Sequence, residues 1–317
     1  MKTKSILNKC LLCLLFFLTI LCPAAIGKII YVDDDGPADF NTIQAAIDDA
    51  NNGDTVLVTP GTYTGEGNRD IEFKGKAITV KSEDGPETCI IDCQGTYDEP
   101  HRGFYFHEIE DSNSIVQGFT VTYGYTGPDD GGAFYCKESS PIIKDCIILG
   151  NTARDGVGIY ATLSDVIIKN CIIRENNAIL YSSPSGGGIF ISRGNVQLRN
   201  CLVVGNVASD LGGGIYCVKG DHQIINCTIT GNRTGNRGGG ISIGPGSNHE
   251  SYLYNSVVWG NSAGMLGDNI ELGYAGILTV MRLNVSNSLI GEDPNSVYDP
   301  FEHISGQVAY DRPIICS

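Results

Sequence analysis

An apolar run long enough to cross a membrane is missing. Leu11–Leu21, the most apolar stretch, has eleven residues, against the ~20 of a spanning helix. Lys2, Lys4 and Lys9 precede it, and Pro23 and the small-x-small pattern Ala25-Ile26-Gly27 follow. This is the layout of a secretory signal peptide over residues 1–27, so the remaining chain is expected to be secreted or held at the cell surface. Basic residues are scarce too, with 21 Lys and Arg against 36 Asp and Glu. Residues 1–27 hold three lysines and no acid, so without them the balance is 18 against 36. Such a surface excludes nucleic acid and anionic membranes as partners, and repels acidic polysaccharides unless a divalent cation bridges the two. The histidines, His101, His107, His222, His249 and His303, share no repeat position and have no evident Asp or Ser partner. No Ser/His/Asp arrangement, and no catalytic residue, is therefore expected.

What the chain has in abundance is glycine, 41 residues, and repetition. Asn/Cys segments read DCIILGN at 145–151, NCIIREN at 170–176, NCLVVGN at 200–206, NCTITGN at 226–232 and NSVVWGN at 255–261, with a fainter NSLIGED from Asn287. A second series interleaves with them: GAFYC from 132, VGIYA from 157, GGIFI from 187, GGIYC from 213, GGISI from 239 and DNIEL from 268. The first series is spaced by 25, 30, 26, 29 and 32 residues. Two unrelated motifs keeping step over five units is the mark of a solenoid. Each unit has three short runs of β-branched and aromatic residues separated by Gly, Asn, Ser and Asp, and no unit has ten helix-favouring residues in a row.

Alternation with period two assigns the faces. Ile159, Ile189, Ile215 and Ile241 form one inward column in the first run. Ile143, Ile168, Leu198, Ile224, Leu253 and Val285 form another in the second. Cys146, Cys171, Cys201, Cys227, Ser256 and Ser288 belong to the third, followed two residues later by Ile148, Ile173, Val203, Ile229, Val258 and Ile290. One coil cannot bury enough apolar surface to offset its own ordering entropy, so stacking is obligatory. Asp145, Asn170, Asn200, Asn226 and Asn255 stack before the third run and Asn151, Asn176, Asn206, Asn232 and Asn261 after it; both columns read as structural ladders. The stacked cysteines read as buried thiols rather than disulfides, because parallel neighbours point the same way. Strands at Thr55–Val58 and Ala77–Lys81 suggest earlier coils. Residues 39–52 read as an amphipathic helix capping the first coil, with Asn41 and Gln44 as a capping box. No matching cap is apparent before Cys316-Ser317. The organisation expected is signal peptide 1–27, N-terminal strand and capping helix 28–53, and coils over 54–317. A leucine-rich repeat has comparable Ile-x-x-Cys-x-Ile-x-x-Asn spacing, but the rest of each unit is glycine-rich strand pattern and the period varies.

These residues resemble the right-handed parallel β-helix repeat proteins of the pectin-lyase-like superfamily. The opening IYVDDDGPADFNTIQAAIDDANNGDTVLVTPGTY is similar to the N-terminal segment of secreted bacterial members, and the GGGI and [IV]xxN pairs resemble repeats of polymorphic outer-membrane proteins. The resemblance implies an all-β parallel β-helix but says little of activity, since the fold hosts lyases, hydrolases, esterases and adhesins. The pectate lyase pattern R-x-P-x-x-R and the polygalacturonase G-H-G and R-I-K are absent.

Two groups are candidate binding residues. If Ile189 and Ile191 point inward, Phe190 points outward, and the same position holds Tyr105, Tyr135, Tyr160 and Tyr216. Coils ~4.8 Å apart make these an exposed strip ~20 Å long, whose rings suit sugar faces and whose hydroxyls suit sugar hydroxyls. Asp130 and Asp155, at matching positions in adjacent coils, are candidate Ca²⁺ ligands; the Asp33-Asp34-Asp35 run reads as a solvated turn. The function expected is a non-catalytic module binding a polysaccharide or cell-surface component. The alternative is a polysaccharide lyase or glycoside hydrolase.

Overall fold

The computed structural model describes residues 27–178, 183–244, 249–272, 281–290, 297–298 and 304–309. All but the last residue of the expected signal peptide lies outside them, as do Cys316 and Ser317. The chain winds into a parallel β-helix. Each coil places one short strand in a nine-stranded sheet and two in a nineteen-stranded sheet that turns a corner between them. The predicted columns are the observed ones. Ile159 pairs with Ile189, Ile189 with Ile215 and Ile215 with Ile241, each at most 1% exposed. The Ile143-to-Val285 and Ile148-to-Ile290 columns likewise pair residue for residue.

The corner of the large sheet is where the first Asn column sits. Asp145, Asn170, Asn200, Asn226 and Asn255 all adopt left-handed backbone, with φ between 48° and 56°, a conformation Asn tolerates better than β-branched residues do. Their amides chain along the surface, Asn200 Nδ2 donating to Asn170 Oδ1 at 3.1 Å and Asn226 Nδ2 to Asn200 Oδ1 at 3.1 Å. The second column is buried. Asn206 Nδ2 donates to Asn232 Oδ1 and to the Ile173 carbonyl, both at 2.9 Å, while its Oδ1 accepts from Asn176 Nδ2 at 3.0 Å and Asn176 N at 3.1 Å. Just beyond it the structure adds a run the sequence reading did not include, a four-stranded sheet of two-residue strands such as Asn177–Ala178 and Val207–Ala208.

The cysteines are reduced and buried among the described residues. Burial pushes the Cys217 thiol up to about 12, as expected of an inert core residue. The capping helix, α1, spans Ile43–Asp49 and packs on strands Ile29–Val32, Thr55–Val58 and Ile71–Glu72, burying Ile43, Ala46 and Ile47. Its N-cap is Thr42 rather than Asn41. Thr42 is extended and its hydroxyl accepts from Ala45 N, while the Ile43 N–H is taken by Asn68 Oδ1 at 3.0 Å. Gln44 is thereby free to reach the next coil, where its Oε1 accepts from Glu72 N at 2.9 Å. The second early strand runs over Thr79–Ser82, two residues later than its expected start. Asp33 closes its turn by accepting from the Asp35 and Gly36 N–H groups.

Candidate functional site

A left-handed glycine three residues before each of six strands of the nine-stranded sheet (Gly131, Gly156, Gly186, Gly212, Gly238 and Gly267) sets the shape of its outer face. Gly212 has φ 61°, and a Cβ there would lie 2.4 Å from the Ile215 carbonyl oxygen and 2.8 Å from Tyr216 Cβ. The turn therefore folds against the base of the outward side chain that follows it, which only glycine permits. Replacing Gly212 by Ala is expected to lower the melting temperature by several degrees, corresponding to about 1–3 kcal/mol; an unchanged melt would mean the turn is not constrained in this way.

Above these turns the aromatic side chains fall in strict register: Tyr105 beside Tyr135, then Tyr160, Phe190 and Tyr216. Successive ring centroids lie 5.2, 5.2, 5.1 and 5.3 Å apart. The Tyr135–Tyr160 and Tyr160–Phe190 pairs are stacked, with interplanar angles of 16° and 11°. The rings are half-buried rather than fully open as the sequence reading expected, because each shields its neighbours. The Arg102 guanidinium lies 4.9 Å from the centroids of both Tyr105 and Tyr135, a doubled cation–π contact. Burial pushes the Tyr216 phenol up to about 12 and raises Tyr160 as well, with the carboxylates of Glu271 and Asp130 respectively adding to the effect. The Tyr160 and Tyr216 phenols are therefore neutral hydrogen-bonding groups at physiological pH.

The column extends past the aromatics at both ends. Glu72 pairs with Tyr105 at its head, and Ser242 and Glu271 continue it beyond Tyr216. Ser242 Oγ donates to Glu271 Oε2 at 2.6 Å, with both residues buried. The sequence analysis did not place Glu72, although Ile71-Glu72-Phe73 has the same apolar-x-apolar pattern as Phe104-Tyr105-Phe106. At this head a cavity of about 400 Å³ is lined by Gln44, Arg69, Asp70, Glu72, Lys74 and His101. Two histidines judged partnerless in sequence acquire carboxylates here. His101 Nδ1 and Asp70 Oδ2 share a hydrogen bond of 2.5 Å, and His107 Nε2 lies 3.2 Å from Glu72 Oε1. Partners 31 and 35 residues away in the chain become neighbours only because one coil intervenes.

Asp130 and Asp155, expected as Ca²⁺ ligands, are brought together about a cation the chain itself supplies. Arg154 donates to both oxygens of Asp130, at 3.0 and 3.1 Å, and its Nε lies 3.4 Å from Asp155 Oδ2. Asp155 also accepts from Ser185 N at 2.7 Å. The Arg154 guanidinium thus lies between the two carboxylates. Burial raises Asp130 to about 6 despite Arg154. Since its value in the unfolded chain is near 3.8, this group's contribution to stability is full below about pH 4 and is lost as pH rises through about 6. Asp130→Asn is expected to flatten that part of the melting profile between pH 4 and 6; an identical profile in the variant would show that Asp130 does not titrate there.

A family model described as a right-handed beta helix region matches residues 54–233. The chain belongs to the right-handed β-helix family. Among solved structures, this β-helix protein is similar to pectate lyase Pel9A (18% identity, 86% of this chain and 67% of that one, TM-score 0.46). It is also similar to a rhamnogalacturonan lyase (14%, 86% and 75%, TM-score 0.46) and to a pectin methylesterase from carrot (14%, 90% and 90%, TM-score 0.48). No curated protein matches it.

Proposed function

We propose that this β-helix protein is exported and binds a polysaccharide, free or on a cell surface, along the outward column of the nine-stranded sheet without cleaving it. The observation that carries this reading is the unbroken file of five rings at 5.1 to 5.3 Å. A row of flat apolar faces on a rigid scaffold, flanked by charged groups and neutral phenols, suits sugar rings that need both stacking and hydroxyl recognition. The carboxylates at its margins and the excess of 36 acidic over 18 basic residues beyond residue 27 favour a neutral glycan over a uronate polymer in the absence of a divalent cation. Tyr135→Ala combined with Tyr160→Ala is expected to weaken glycan binding by ~10-fold or more while leaving a cooperative melt. Unchanged affinity in the folded double variant would overturn the reading.

A second reading is favoured by one observation: Asp130, raised to about 6, adjoins Tyr160 on the column, and a carboxyl held partly protonated near neutrality is the requirement of a general acid. A glycoside hydrolase or lyase would release products from a polysaccharide panel, whereas a binding module gives saturable binding with no new reducing ends.

A further inference from the structure

We propose that Glu72, His107 and Glu108 hold a single divalent transition-metal ion, with Zn²⁺ the best match to the donor set. One ligand atom from each lies within 4.8 Å of the other two. His107 Nε2 and Glu72 Oε1 are already 3.2 Å apart, close to the ~3.3 Å separating two ligands bonded at ~2.0–2.1 Å to a tetrahedral ion. Rotation of the exposed Glu108 side chain closes the set. An imidazole nitrogen with two carboxylates suits a borderline ion, whereas Ca²⁺ takes six to eight oxygens.

The three side chains hang from a fixed frame. Glu72 ends strand Ile71–Glu72, where its N–H is bonded to Gln44 of the capping helix at 2.9 Å. The His107 ring packs on Tyr105, with centroids 4.1 Å apart. The Glu108 N–H donates to Glu110 Oε2 at 3.0 Å. Glu110 is itself buried and fully engaged, accepting also from Gly75 N at 3.0 Å and Ser139 Oγ at 2.7 Å. That buried carboxylate anchors the loop carrying two of the three ligands, the kind of outer support that metal sites use.

Charge gives the second motive. Two carboxylates are held beside one imidazole, and Lys74, a cation close enough to feel both, is bonded to Asp48 at 2.7 Å. Three protein ligands leave a coordination position open. Because Glu72 also lines the 400 Å³ cavity and pairs with Tyr105, the ion adjoins the head of the aromatic column. The site does not depend on glycan binding, since none of its ligands is one of the five rings.

The test is calorimetric titration of the chelator-treated protein with ZnCl₂, with Co²⁺ absorption as a report on geometry. One saturable equivalent is expected, together with Co²⁺ visible bands displaced from those of the hydrated ion. His107→Gln and Glu108→Gln, on side chains that leave the core untouched, should each weaken binding by at least ~10-fold and abolish the displaced bands without changing the melt. Tyr135→Ala with Tyr160→Ala should leave zinc binding intact. Absence of saturable binding, or equal affinity in both ligand variants (an ion held instead by Asp33, Asp34 and Asp35 or by the thiols), would overturn the proposal.

Discussion

Ile189→Asp is expected to abolish cooperative folding. Ile189 is 1% exposed and lies between Ile159 and Ile215 in a file of identical side chains. The small space beside it, enclosed by Ile191, Val196, Leu198, Ile215, Cys217 and His222 among others, has about 10 Å³ for water, at most one molecule's worth. A carboxylate placed there meets no Lys or Arg, only the buried His222, which would itself have to be protonated to pair with it. The carboxylate must either stay charged in an apolar interior or take up a proton at neutral pH, and either course costs several kcal/mol. In a solenoid the damage is not confined to one contact. Stability is roughly a sum over coils and their interfaces, so an intolerable central coil separates the stack into two pieces, each with a newly bared end. The variant should be insoluble, or soluble without a melting transition. Ile189→Val, which keeps the shape, should cost only ~0.5–1.5 kcal/mol. A soluble Ile189→Asp protein with a sharp melt would contradict the inward register.

Asn206→Ala is expected to cost roughly 3–5 kcal/mol, as should truncation of Asn176 or Asn232, which make the same set of bonds. The fully buried Asn206 amide donates to Asn232 and the Ile173 carbonyl and accepts from both the side chain and the backbone of Asn176. Its removal strands two donors of Asn176 and the Ile173 carbonyl in the interior, while Asn232 Oδ1 keeps its bond from the backbone N–H at position 206. Each stranded group costs about 1–3 kcal/mol, reduced by local rearrangement. The exposed column is the control. Asn200 makes a similar side-chain chain on the surface, and Asn200→Gly, which keeps its left-handed φ of 54° available, should cost less than ~1 kcal/mol. Denaturant melts of the two variants decide the point; equal losses would mean the buried ladder has no special role.

The core was legible because it is written twice over, in alternation along each strand and in repetition between coils. That redundancy placed the inward columns of the three longer runs, those of Ile159, Ile143, Cys146 and Ile148. The two-residue strands such as Val207–Ala208 escaped because runs that short carry no periodicity, and Thr42 displaced Asn41 as the cap because the choice rests on backbone geometry that composition does not specify. The aromatic column was readable from Phe190, flanked by two inward isoleucines, but its half-burial was not, since that depends on rings covering one another. The environment of Asp130 and Asp155 was missed because Arg154 lies in a turn outside the repeat motif. The carboxylate partners of His101 and His107 lie in the coil before, where the repeat is faintest and no motif aligned Asp70 and Glu72 with them.

Hydroxyl-radical footprinting with and without a saturating glycan tests the binding column most directly. Glycan should protect Tyr105, Tyr135, Tyr160 and Tyr216 together, and leave Tyr97 and Tyr123, which are 78% and 63% exposed elsewhere on the surface, reacting as before. Protection of Tyr97 or Tyr123 with the four column tyrosines unaffected would place the ligand elsewhere and contradict the account.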